Sequence, residues 1–165
     1  MYATLSDLIA QYGLTELSQL LADEEGLVSA ALLEAYINGD VSAFDADEVG
    51  AINRAAARAE SNLTQASRII DSSVGSRYPV PLTYEQAAAT AVQPCCLALA
   101  RASLADDGDN MGENTRKDRD HWREWLGKVA MGRMVIPGLS PVASAGVAQK
   151  RQGAAPRSTV DWSAY

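Results

Sequence analysis

Apolar and polar positions alternate along this chain with a helical period, and the breaks between periodic stretches are marked by glycine, proline and capping residues. Thr4 followed by Asp7 reads as an N-cap with a first-turn acid, opening a helix that runs to about Tyr12 and stops at Gly13. Thr15 is the expected cap of a second short helix carrying Leu17, Leu20 and Leu21, which the acidic turn ADEEG ends. LVSAALLEAYI, residues 27–37, is apolar on a broad face and stops at Asn38-Gly39. No repeat of fixed period links these pieces.

The next stretch carries the clearest pattern. Asp45 and Glu48 form a capping-box start. Val49, Ile52, Ala56, Ala59, Leu63, Ala66 and Ile70 then recur at alternating steps of three and four, set between Asn53, Arg54, Arg58, Glu60, Asn62, Gln65, Arg68 and Asp71. That is a narrow apolar seam on an otherwise polar helix. Residues 47–74 would span roughly 40 Å at about 1.5 Å per residue. The small alanines permit close helix approach, either inside the chain's own bundle or against a neighbouring subunit.

VGSRYPVPL, residues 74–82, interrupts the pattern. Gly75 ends the long helix, and Pro79 and Pro81 bias Tyr78 and Val80 to extended conformations. Thr83 and Gln86 supply the next capping box. A second long helix is expected over 84–105, with Ala87, Ala88, Ala91, Val92, Cys95 and Leu99 inward and a kink near residue 90 caused by Pro94. Gly75, Arg77, Tyr78, Pro79 and Pro81 thus make a structural corner, with Tyr78 packed and Arg77 paired to an acid. A polar loop, ADDGDNMGEN, precedes a last helix from about Thr115 to Met131, stopped by Gly132, whose apolar face is Trp122, Trp125, Leu126 and Val129. The expected fold class is all-α: a small helical bundle with two long helices joined by an extended Pro-containing turn.

Beyond Ile136-Pro137 the composition changes. Residues 138–159 are mostly Gly, Ala, Ser, Pro and Val with a few basic residues, a mix that builds no core. Yet the chain ends VDWSAY. Residues 1–137 therefore read as the helical domain. Residues 138–165 read as an extended C-terminal arm, either a disordered end or a segment that orders on a partner through Trp162 and Tyr165.

Composition narrows the function classes. Hydrophobic residues are 47% of the 165-residue chain, an ordinary globular share, which argues against wholesale disorder. No stretch approaches the roughly 18 apolar residues of a membrane span, and the first residues lack the basic and apolar regions of a secretion signal. Adjacent Cys95 and Cys96 point in different directions on a helix and are poor disulfide partners, which fits a reducing compartment. The net charge of −7 is unevenly placed: residues 1–132 carry −10 and residues 133–165 carry +3. An acidic body argues against gripping phosphates tightly, whereas a basic arm suits an acidic partner or a neighbouring copy.

Candidate chemistry is sparse. The single histidine, His121, sits among Asp118, Asp120 and Glu124 on a charged helix and reads as a surface residue. No GxGxxG or P-loop pattern occurs. Asp107, Asp109, Gly112 and Asp118 fall at positions 1, 3, 6 and 12 of a calcium loop. Met111 stands where an oxygen ligand is needed, and Asp118 replaces the bidentate Glu, so an acidic solvated loop is the better reading. No catalytic, cofactor-binding or metal residue is assigned.

Three stretches carry a family resemblance: MYATLSDLIAQYGLTEL, AAARAESNLTQASRIIDSSVGSRYPVPL and WREWLGKVAMGRMVIP. Together they resemble the head–tail connectors, or neck adaptors, of Mu-like tailed phages and prophages: an opening pair of short helices, a long helix running into an Arg-Tyr-Pro-x-Pro-Leu turn, and a last helix with an extended exit. The chain departs from that pattern at Pro94-Cys95-Cys96 and in its Gly/Ala/Pro-rich tail. The resemblance implies a non-enzymatic virion protein, made in the host cytoplasm and placed in the virion neck. It implies a dodecameric homo-oligomeric ring beneath the portal that joins portal to tail or tail-terminator protein. DNA would pass through the ring without sequence-specific binding, and no membrane is involved. By analogy the arm docks on the portal or a neighbouring subunit, with Arg151, Arg157, Trp162 and Tyr165 as anchors. Two alternatives remain: a monomeric assembly or scaffold adaptor working through the arm, and a virion-associated enzyme.

Overall fold

The computed structural model describes residues 1–22, 25–105 and 111–142. These form seven helices and no strand: α1 (Leu5–Tyr12), α2 (Leu14–Leu20), α3 (Ala30–Asn38), α4 (Ala46–Val74), α5 (Tyr84–Ala88), α6 (Val92–Leu104) and α7 (Glu113–Ala130). The fold is all-helical. The heart of the bundle is α4 packed against α6 and α7; α1 touches both α4 and α6, α2 bridges α1 and α3, and α3 returns to α4. No helix among the described residues is long and apolar enough to cross a membrane.

Local signals explain several helix ends. Thr4 and Asp7 form a full capping box on α1, as Asp45 and Glu48 do on α4 and Thr83 and Gln86 on α5. Each satisfies backbone N–H groups that have no acceptor inside the helix. Gly39 closes α3 in the left-handed conformation.

Several boundaries differ from expectation. Thr15 caps nothing: α2 starts at Leu14, with Gly13 at its N-cap. Leu27 and Val28 precede α3, whose cap is Ser29. The expected second long helix is two helices. α5 ends at Ala88, Ala89–Ala91 turn, and α6 begins at Val92. Pro94 kinks nothing. It is the third residue of α6, in the first turn, where a missing N–H removes no intrahelical bond. The break also turns Ala88 outward and leaves Ala91 half-buried, while Ala87, Val92, Cys95 and Leu99 stay inside.

The α4 seam faces the chain's own core. Ile52, Ala56, Ala59, Leu63, Ala66 and Ile70 are buried there, joined by Ala51, Ala55, Ser67 and Val74. Val49, near the helix start, is only half-buried. On α7, Trp125, Leu126 and Val129 are core, and Trp122 is half-buried with its ring edge-on to Trp125 at 5.5 Å.

One long-range polar contact ties the short helices to this core. Arg101 of α6 reaches Glu16 of α2 at 2.5 Å and places its guanidinium 4.6 Å from the ring centre of Tyr12. Burial pushes the Tyr12 phenol up from 10.0 to about 12, against the opposing pull of Arg101. The folded chain therefore holds this proton more tightly than the unfolded chain. The resulting stability is complete below about pH 10, the unfolded value, and is lost as pH rises towards the folded value. The urea midpoint should accordingly fall as pH rises above about 10, and less steeply in Tyr12→Phe. An equal decline in both proteins would refute the assignment to Tyr12.

Candidate functional site

The corner between α4 and α5 is where three separate parts of the chain meet. After Val74 the backbone makes one more turn, with the N–H groups of Arg77 and Tyr78 both donating to the Val74 carbonyl at 2.9 Å. Gly75 ends the helix in an ordinary right-handed conformation, φ −62°. The Val80–Pro81 peptide is cis. Pro79, Val80 and Pro81 are exposed, whereas Tyr78 and Leu82 are buried.

Tyr78 points into the bundle with no exposed surface, and its Oη accepts the backbone N–H of Ile136 at 2.8 Å. The chain leaving α7 is held at that point. Farther on, the Val142 N–H donates to the Arg77 carbonyl at 2.7 Å, and Leu139 packs on the core. Residues 138–142, beyond the composition break, thus still lie against the body.

From the other side the N-terminus closes the same corner. Tyr2 is fully buried. Its Oη donates to Asp71 Oδ1 and accepts the Leu82 N–H at 3.0 Å, while its own N–H donates to Ser67 Oγ at 3.1 Å. Burial, then the bond to Asp71, raises the Tyr2 phenol far above its usual value. Outside, the Tyr84 hydroxyl of α5 donates to both carboxylate oxygens of Asp7 at 3.0 and 3.1 Å.

Arg77 departs from expectation. It makes no ion pair with an acid among the described residues. Its guanidinium lies on Gly132, where the Cβ of any other residue would stand 1.8 Å from Nη1, and its Nε is buried without a hydrogen-bond partner. Gly132 has φ +72°, so this position favours glycine both for the turn after α7 and for the close approach of Arg77. The corner is a joint between helices.

Tyr78→Phe keeps the ring and removes the acceptor of the buried Ile136 N–H. It should cost about 1–3 kcal/mol, the penalty of one unsatisfied buried donor. Hydrogen exchange at Ile136 should accelerate by more than exchange at Leu63; unchanged protection at Ile136 would show that Tyr78 does not hold the exit.

Other sequence candidates lie apart from the corner. Cys95 and Cys96 are free and buried, and burial raises both thiols. Cys96 faces Ser67 Oγ at 3.6 Å and the Leu63 carbonyl at 3.7 Å. His121 is exposed, edge-on to Trp122. Of the calcium-like loop, Asp107 and Asp109 lie outside the described residues. Met111 is buried with its sulfur towards Arg119, Gly112 caps α7, and Asp118 sits on α7 at 3.9 Å from Arg101. No group of three or more potential metal ligands occurs among the described residues. The proposed anchors Arg151, Arg157, Trp162 and Tyr165 also lie outside the described residues. Sequence reasoning did not single out Tyr2 or Arg101, and it placed Asp71 on the polar side of α4 and Gly132 at the end of α7 without their partners Tyr2 and Arg77; these partners are distant in the chain, so no local pattern marks them.

The family described as Bacteriophage Mu, Gp36 matches over residues 2–154. No curated protein and no solved structure matches the chain.

Proposed function

The chain belongs to the bacteriophage Mu Gp36 family, and from that premise we propose that this Mu-like phage protein is a non-enzymatic neck component: a ring that joins the portal to the tail and surrounds the DNA path. Family membership points to a phage structural or assembly role. The ring, its dodecameric count, the neck position and the portal and tail partners are the finer reading, drawn from the three stretches that resemble head–tail connectors.

The observation that carries it is the exit from α7. This segment is fixed at two points, Tyr78 to Ile136 and Arg77 to Val142, yet it presents Met131, Met134, Val135 and Val142 at 69%, 40%, 60% and 52% exposure. A rigidly held, water-exposed apolar segment that leads into a basic, aromatic-tipped arm suits a surface that is covered on assembly. Subunits meeting head to tail present different surfaces to each other and close a cyclic ring. The portal then meets many equal contacts at once, which multiplies weak ones. A predominantly acidic body would repel DNA and leave it mobile in the channel.

The reading is tested by joining in vitro. DNA-filled heads from cells lacking this chain should join purified tails only after the purified chain is added. Joining without it would remove the role.

A further inference from the structure

Charge is segregated along the chain. Residues 1–53 contain ten Asp or Glu and no Lys or Arg. At the end of α3, Ile37 is 38% exposed, with exposed Glu34 before it and exposed Asp40 after it. A groove of about 160 Å³ between α4, α6 and α7 has the opposite character. Its apolar floor includes Ile69 and Leu99, and its rim includes Gln65, Arg119 and Arg123. Arg119 also meets Asp120 at 3.0 Å and the Met111 sulfur at 3.7 Å, which hold it at the rim.

We propose that this groove receives the Glu34–Ile37–Asp40 end of α3 from a second copy of the chain. Ile37 fills the apolar floor, and the two carboxylates face Arg119 and Arg123. Among the described residues, the chain's own α3 end does not fill this groove. Ile37 is not among the residues lining it and stays exposed, and Gln65 lies roughly 28 Å along α4 from that helix's first residue at about 1.5 Å per residue. The two surfaces differ, so the contact is heterologous: each copy gives one and receives the other, and repetition builds a ring or a filament. Complementary charge fixes the register and disfavours the head-to-head alternative, in which acidic ends would meet. This inference rests on the reading of the protein as a multi-copy component of the neck, and it names the faces that would meet there.

The test mixes Ile37→Cys and Gln65→Cys versions of the full chain, as concentrated protein and in particles, under disulfide-forming oxidation. The native Cys95 and Cys96 are buried and leave the background low. A covalent dimer should form for this pair and not for Ile37→Cys with Ser72→Cys, an exposed α4 position outside the groove. Adding Arg119→Glu and Arg123→Glu to the Gln65→Cys chain should abolish the dimer, and adding Glu34→Arg and Asp40→Arg to the Ile37→Cys chain should restore it. Absence of the dimer in both settings, equal dimer with Ser72→Cys, or indifference to charge reversal would overturn the proposal. Particles that place the chain in the neck but do not cross-link at this pair would refute the groove and leave the neck reading intact. Cross-linking by a chain absent from the neck would do the reverse.

Discussion

Trp125→Ala is expected to lower the unfolding free energy by about 3–5 kcal/mol, the range for emptying a large aromatic site in a core. Trp125 is 9% exposed and sits in the cluster that joins α7 to the rest of the bundle. Trp122, its edge-on neighbour at 5.5 Å, is half-buried. Trp122→Ala should therefore cost clearly less, about 1–2 kcal/mol, from partial burial and the lost aromatic pair. Urea denaturation of the two variants beside the parent measures both. Equal costs would mean that α7 does not turn Trp125 inward and Trp122 to the edge, and an unchanged melting temperature for Trp125→Ala would contradict the α7 packing outright.

The second large effect is functional and leaves the fold alone. Deleting residues 143–165 removes Arg151, Arg157, Trp162 and Tyr165 but keeps Ile136, Leu139 and Val142 in their contacts. The helical body should melt like the full chain, because the buried core among the described residues lies before residue 137. Infectious particles should nevertheless be lost, with heads and tails accumulating separately. A narrower variant, Trp162→Ala with Tyr165→Ala, should reproduce much of the defect if aromatic anchors carry the docking, since such residues commonly dominate interface energies at about 2 kcal/mol or more each. Normal infectivity of the deleted protein would show that the arm does not join anything.

How much of this was legible in the sequence depends on the range of each interaction. The start and seam of α4 were visible because Asp45, Glu48 and the three-four spacing are local signals, and burial followed the spacing from Ile52 to Ile70. Val49, at the helix start, is only half-buried. The break at Ala89–Ala91 had no warning: alanine and threonine there do not oppose a helix strongly, and Pro94 marked the first turn of the new helix rather than a bend in an old one. The corner was recognisable from Tyr78 and its prolines, but its closure was not. Tyr2 meets Leu82, and Tyr78 meets Ile136, across 80 and 58 positions. Arg77 was expected to find an acid and instead lies on Gly132, a contact made possible by the absent side chain there.

Whether this chain forms a ring in the neck is decided by an image of the neck. In a reconstruction of the particle, density between portal and tail should accept the α4–α6–α7 bundle in a closed ring around the DNA path, with the chain continuing from Val142 towards the portal or the adjoining subunit. Density in that zone fully explained by other proteins, with this chain elsewhere in the particle or missing from it, would show that the protein is not the neck ring.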